Sequence, residues 1–182
     1  MKLRNDYFLF FKKFLMQPKL NASIVPSSRF VAQAMTDWID FSLIKVIIEF
    51  WPWTWVFTQY LVQHSYPKTK IICIEYDKQY AQILSKRFGD SVYVECWDVH
   101  DLQNILARHD IKHPDLIISW LPSNIYQAHL LQLLQTYIHR WTIFRWFSYA
   151  PHTIRSAYQW FPLEHKRFVL RNVPPVFVFW AN

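Results

Sequence analysis

Lys45-Val46-Ile47-Ile48-Glu49-Phe50-Trp51-Pro52-Trp53-Thr54-Trp55 decides how this chain folds. Its first half is a short β-branched run, the mark of a strand covered on both faces. The run ends on an acid, and a helical pattern follows over residues 54–64. The same alternation recurs downstream. Strand signals at 70–75, 92–95, 115–119 and 142–149 are followed by helical patterns at 78–88, 101–108, 125–138 and 153–160. Upstream, Ser27 or Ser28 is placed to cap a helix over 29–38. At the far end, residues 167–171 and 176–180 flank Asn172-Val173-Pro174-Pro175 and predict an antiparallel hairpin. Repeated strand–helix units predict an α/β fold with a doubly wound, mostly parallel sheet, closed at one edge by that C-terminal hairpin. The expected division is an N-terminal helical extension over 1–38 and one domain over 39–182.

Composition narrows the classes. The chain has 182 residues, 52% of them hydrophobic and 18% charged, which excludes a disordered chain. Net charge is +7, so anionic partners are favoured, nucleic acid or an acidic membrane face. Cys73 and Cys96 lie in apolar stretches and read as reduced core residues. His109 and His113 stand four apart, but a metal site needs further ligands and two solvated histidines are expected. No apolar run approaches the ~18 residues of a membrane span. Residues 1–19 place Phe8, Phe11, Phe14 and Leu15 on one helical face between cationic flanks. Such a helix can lie in a lipid interface or pack its aromatic face on the domain.

Open α/β sheets bind ligands beyond the carboxyl ends of their strands, where the strand order reverses. Glu49, Glu75 and Asp98 each fall at such an end. A carboxylate after the second strand can accept hydrogen bonds from ribose hydroxyls, and one past the third can face an adenine amino group. Three acids in register point to a nucleoside-like ligand.

At this point the chain resembles the class I S-adenosylmethionine-dependent methyltransferases. It is most similar to the small bacterial phospholipid N-methyltransferases, which are related to ribosomal RNA adenine dimethyltransferases. The resemblance is carried by Ser23-Ile24-Val25-Pro26-Ser27-Ser28-Arg29, the segment 46–58, Ile74-Glu75-Tyr76-Asp77, Trp97-Asp98, Ile118-Ser119-Trp120-Leu121-Pro122, Phe147-Ser148-Tyr149 and Arg171-Asn172-Val173-Pro174-Pro175. It implies a Rossmann-like fold and S-adenosylmethionine as cofactor. It further implies that Glu49, Trp51, Trp53, Trp55, Glu75, Tyr76, Trp97, Asp98 and Ser119 occupy cofactor-binding positions.

Several of those positions break the family pattern. The family has Glu-x-Gly-x-Gly-x-Gly after the first strand, and this chain has Trp51, Trp53 and Trp55 at the three glycine places. Trp97 and Trp120 also stand where the family has glycine. Ordinary usage of about 7% would give a chain this long roughly 13 glycines. It has one, Gly89, and ten tryptophans. Two explanations stand. Either the chain is an inactive relative with a blocked cofactor site, or UGA codons translated as tryptophan are read as glycine in the cell. Replacement of one residue type by one other favours the second. Under it Trp51, Trp53, Trp55 and Trp97 are glycines, Trp120 and Trp141 follow, and Trp38, Trp146, Trp160 and Trp180 are open.

The RNA adenine enzymes carry an Asn or Asp at the start of the fourth motif and an aromatic residue after its proline. Ser119-Trp120-Leu121-Pro122-Ser123 has neither, which disfavours a nucleobase acceptor and leaves RNA as the alternative. The Val-Pro-Ser-Ser segment and the N-terminal helix point to a phospholipid headgroup amine, phosphatidylethanolamine-like, on an anionic membrane. The expected location is cytoplasmic, peripheral at the inner membrane face. Ser27, Ser28, Leu121 and Pro122 are expected at the substrate. Tyr149 and His152 are expected to orient the amine or take its proton, and Arg167 or Arg171 to pair with a lipid phosphate.

Overall fold

The computed structural model describes residues 28–52, 55–122, 125–149, 161 and 163–181. The N-terminal amphipathic segment, Ser27, Trp53, His152 and the helix expected at 153–160 lie outside them. Seven strands form one sheet in the order β3-β2-β1-β4-β5-β7-β6. They are β1 (Val46–Phe50), β2 (Lys70–Ile74), β3 (Tyr93–Glu95), β4 (Leu116–Ser119), β5 (Ile143–Ser148), β6 (Leu163–Val169) and β7 (Val176–Ala181). The first five are parallel, and β7 runs antiparallel to both β5 and β6. This is the doubly wound sheet with a terminal hairpin that the sequence predicts. Its order reverses between β1 and β4, so a crevice opens beyond their carboxyl ends.

Helices cover both faces. On one lie α1 (Arg29–Thr36), α2 (Val56–His64) and α3 (Lys78–Phe88). On the other lie α4 (Leu102–Arg108) and α5 (Ala128–Ile138). Adjacent strand residues feed opposite layers, as strand geometry requires. Ile47, Ile71 and Ile118 pack with Val31, Met35, Phe57 and Leu61, whereas Ile48, Ile72 and Ile117 pack with Ile105, Leu130 and Leu134. This double burial is why the strands read as unbroken apolar runs. Helix α1 belongs to the packed body: Val31, Ala32, Ala34 and Met35 are buried, and Trp180 Nε1 donates to Ala34 O at 3.2 Å. Ser28 stands at the N-cap of α1, but its hydroxyl makes no cap. Its N–H instead donates to Asn172 Oδ1 at 2.8 Å, tying the helix to the β6–β7 turn.

Two polar readings need correction. Cys73 is buried, but Cys96 is exposed because it sits past the end of three-residue β3, where no helix covers it. His109 and His113 are not simply solvated: His109 Nε2 lies 2.7 Å from Glu95 Oε1, and His113 Nε2 lies 3.2 Å from Thr142 Oγ1.

The backbone sorts the tryptophans. Eight of the ten are described, all but Trp53 and Trp160. Four of those eight have left-handed backbones: Trp38 (φ 64°), Trp51 (60°), Trp55 (46°) and Trp141 (72°). Only a few per cent of non-glycine residues do so, and a bulky side chain there is strained. Helix α5 ends in a pair of bonds, Trp141 N–H to Ile138 O and Thr142 N–H to Tyr137 O, with Trp141 at the position glycine usually takes. Helix α4 closes with the same pair of bonds, but its left-handed residue is Asp110, a type that tolerates the conformation. Helix α3 ends on Gly89 at φ 53°. Trp146 and Trp180 differ: both lie in strands, and Trp146 stacks on Phe144 and Phe179 at 4.9 and 5.4 Å.

Opposite signs of stability change are therefore expected. Trp141 is 88% exposed, so Trp141→Gly removes backbone strain at little packing cost and stabilises by about 1 kcal/mol. Trp146→Ala empties a core site and destabilises by about 3–5 kcal/mol. Urea unfolding of the two variants measures both.

Candidate functional site

The crevice at the reversal of strand order is built from four strand ends. At the end of β1, Glu49 is buried, and its Oε2 accepts from Thr58 Oγ1 at 2.7 Å and from Cys73 Sγ at 3.6 Å. Its Oε1 is buried without a hydrogen-bond partner among the described residues. Burial pushes the carboxyl up to about 7, against the pull of those two donors. Above it the chain leaves the sheet through Trp51, whose N–H donates to Ile74 O at 2.9 Å. It then turns at Trp55, whose N–H donates to Pro52 O at 2.8 Å. Both left-handed residues are needed to bring the backbone back into α2.

At the end of β2, Glu75 is turned inward: its Oε1 accepts from Asp77 N–H at 2.9 Å, and Asp77 in turn caps α3. Tyr76 projects outward and is exposed. Past β3, Asp98 Oδ1 receives both the N–H of His100 at 2.9 Å and its ring Nδ1 at 2.5 Å. Burial alone would raise the Asp98 carboxyl, but the His100 hydrogen bonds and charge outweigh it and hold it below the usual value. The other ring nitrogen of His100 lies 3.2 Å from Ile125 O, so the imidazole bridges the β3 and β4 loops. At the end of β4, the Ser119 hydroxyl lies 2.5 Å from the Tyr126 hydroxyl and accepts from Leu121 N–H at 3.3 Å.

These ends enclose a cleft of about 170 Å³, lined by Trp51, Ile74, Tyr76, Asp98, Val99, His100, Leu121 and Ile125. Of the expected positions, Trp51, Tyr76, Asp98 and Leu121 meet there. Glu49, Glu75 and Ser119 lie beneath or behind the lining and organise it. Trp97 is half exposed, with Arg108 4.9 Å from its ring, and Pro122, next to the lining residue Leu121, is half-buried outside the lining. Tyr149 is past β5, its hydroxyl buried and without a hydrogen-bond partner among the described residues, 5.5 Å ring to ring from Phe147. Arg167 is engaged by Asp37, and Arg171 lies 5.2 Å from the Phe30 ring. His100, Tyr126 and Thr58 were not anticipated. For Thr58 the signal is a hydroxyl on the buried face of a helix, and for His100 an imidazole two residues after an acid.

A nucleoside-bearing cation meets a matching donor set here: an apolar floor, Asp98 at the rim, and an orphaned carboxylate oxygen on Glu49. The volume does not match. Ligand sites run to ~300–1,000 Å³, and the Trp51 side chain takes up part of this one. With an indole at 51 in the lining, the residues present do not leave the volume such a group needs.

No family model matches the chain. It is 26% identical over 178 residues to a protein of Singulisphaera acidiphila named ornithine lipid N-methyltransferase, covering 93% of this chain and 92% of the relative. Among solved structures it resembles a putative O-methyltransferase from Klebsiella pneumoniae (TM-score 0.68, 13% identity, 97% and 90% of the two chains). It also resembles an O-methyltransferase from Streptomyces achromogenes in complex with S-adenosylmethionine (TM-score 0.67, 8% identity, 97% and 88%). The fold is therefore that of the class I methyltransferases, Rossmann-like with a mixed seven-stranded sheet.

The Glu49 carboxyl gives a pH signature. Unfolded, it releases its proton near 4.5, and folded near 7. Between those values the folded state holds the extra proton, so stability falls as pH rises, by about 3 kcal/mol in all, and is flat above. Glu49→Gln is expected to remove this slope, read as the difference between the two proteins' urea midpoints from pH 4.5 to 8.

Proposed function

We propose that this protein is an S-adenosylmethionine-dependent N-methyltransferase acting on the amine of a lipid headgroup, with phosphatidylethanolamine the first candidate. The cleft at the β1/β4 reversal carries the reading. The lipid acceptor is supported by the relative named for N-methylation of a lipid. The cofactor supplies an already activated methyl group. The chain's own part is to align and desolvate the acceptor. In this reading Asp98 and Tyr76 meet the nucleoside, Glu49 the cationic end, and Leu121 and Pro122 the acceptor. Tyr149 and His152 orient the amine or receive its proton, with Ser27 and Ser28 flanking the acceptor.

The same proposal holds that the site works with glycine at 51, 53, 55 and 97, supplied by UGA codons read as glycine. Left-handed backbones at Trp51 and Trp55 support it inside the site. Those at Trp38 and Trp141 support it at helix ends with no part in binding, where decay of an active site gives no reason for tryptophan. Trp120 follows by motif, although its ring is buried 4.0 Å from Phe57 and 4.5 Å from Phe147. Trp146 and Trp180, packed and in strands, are true tryptophans.

The gene should accordingly carry UGA at codons 38, 51, 53, 55, 97 and 141 and UGG at 146 and 180; UGG at 51, 53 and 55 would refute the recoding. Calorimetry should show S-adenosylmethionine binding to the W51G/W53G/W55G/W97G protein and at least a hundredfold weaker binding, or none, to the unsubstituted chain. That variant is expected to methylate vesicles containing phosphatidylethanolamine or an ornithine lipid. No heat with the cofactor, or transfer to ribosomal RNA in place of lipid, would overturn the assignment.

A further inference from the structure

The β6–β7 turn carries features that the cofactor cleft does not use. Because β7 is antiparallel to both β5 and β6, β6 runs parallel to the central strands. Its carboxyl end, and the turn that follows, therefore sit on the same edge of the sheet as the cleft. Leu170 and Val173 in this turn are 71% and 70% exposed, and Phe168 beside them is half exposed. Exposed aliphatic side chains at a turn give the fold nothing. The turn is nonetheless fixed: Asn172, buried, accepts from Ser28 N–H and donates to Pro174 O at 2.7 Å.

Two cations flank these apolar residues. The guanidinium carbons of Arg29 and Arg171 lie 5.1 and 5.2 Å from the centroid of the Phe30 ring, and both side chains are exposed. Neither meets a carboxylate among the described residues. A groove of about 470 Å³ runs from this point between α1 and β6, lined by Phe30, Gln33, Tyr60, Phe168, Leu170 and Arg171. Among the described residues the one acid along it, Asp37, is already engaged by Arg167. The chain's own N-terminal segment is a poor occupant, because Lys2, Arg4, Lys12 and Lys13 would bring further positive charge to a cationic groove.

We propose that the β6–β7 turn and the N-terminal end of α1 form the surface by which this protein docks on an anionic lipid bilayer. Leu170 and Val173 enter the apolar boundary, and Arg29 and Arg171 pair with lipid phosphates. An apolar tip ringed by cations is the chemistry of interfacial binding. Docking by this edge sets the cleft mouth against the bilayer, where a headgroup amine is presented. The inference deepens the lipid reading and rests on it, but it is tested by binding alone.

The test is co-sedimentation of the full chain with vesicles of phosphatidylglycerol and phosphatidylcholine, against phosphatidylcholine alone. Affinity for the anionic vesicles is expected to fall about fivefold for each cation removed in R29S and R171S. It is expected to fall about tenfold or more in L170S/V173S. All four side chains are exposed, so unchanged circular dichroism should accompany each loss. In a C96S background, an environment-sensitive dye on L170C should shift to the blue with anionic vesicles. The same dye on L43C should not, because Leu43, equally exposed, precedes β1 at the opposite edge. Undiminished vesicle binding by these variants, a dye shift at 43 and not at 170, or preferred binding of single-stranded RNA that R29S/R171S abolishes would each overturn the proposal. Vesicle binding that the variants lose, together with no methyl transfer to any lipid amine by the W51G/W53G/W55G/W97G protein, would sink the function proposed above and leave the docking surface standing.

Discussion

Everything at the functional end of this molecule depends on how the backbone leaves β1. That strand is the innermost of the parallel set, with β2 on one side and β4 on the other, at the point where the strand order reverses. The chain must leave the sheet, pass over the buried Glu49 and re-enter as α2 within five residues. It does so with φ 60° at residue 51 and 46° at residue 55. Left-handed backbone costs an L-residue roughly 1–2 kcal/mol and costs glycine nothing comparable. The fold thus asks for glycine at two places where the chain has its largest side chain. The indole at 51 also lines the cleft beyond the strand.

Beneath that loop the electrostatics are graded by depth. Among the described residues no cation reaches the buried Glu49; Thr58 and Cys73 favour its charged form, but burial outweighs them and its proton comes off near neutrality. Asp98, nearer the surface, has the His100 ring and backbone as donors and stays ionised. A carboxylate that lacks a cation in the interior, opposite one that is satisfied at the rim, suits a ligand with a cation at one end and neutral donors at the other. Glu75 serves differently. By accepting the Asp77 amide it shapes the loop that leads into α3, leaving Tyr76 to project at the mouth.

The second half of the structure brings the β6–β7 turn to the same end of the sheet as the cleft. Helix α1 is joined to the β6–β7 turn through Ser28 and Asn172, and to β7 through the Trp180 indole. The hairpin is therefore a fixed part of the sheet, and the side chains at its tip are held outward. Whatever approaches that tip meets aliphatic carbon and guanidinium together, a few strands from the cleft.

The amino-acid sequence by itself determined the alternation of strands and helices, because burial on two faces forces continuous apolar runs, and the chain shows five of them in order. It also located Glu49, Glu75 and Asp98 at strand ends and displayed ten tryptophans against a single glycine, since both are matters of local order and composition. Which acids line the cleft was decided only by the tertiary structure: Asp98 reaches it and Glu75 turns inward, through hydrogen bonds to neighbours that spacing does not reveal. The same holds for the Glu95 partner of His109 and the placing of Arg167 against Asp37, each fixed by a contact distant in sequence, and for the exposure of Cys96, set by where β3 ends. The sorting of the tryptophans lay beyond sequence as well. Trp141 and Trp146 stand five residues apart in one chain, and only the backbone angle, set by how a helix ends and a strand begins, separates the position that needs glycine from the one that needs an indole.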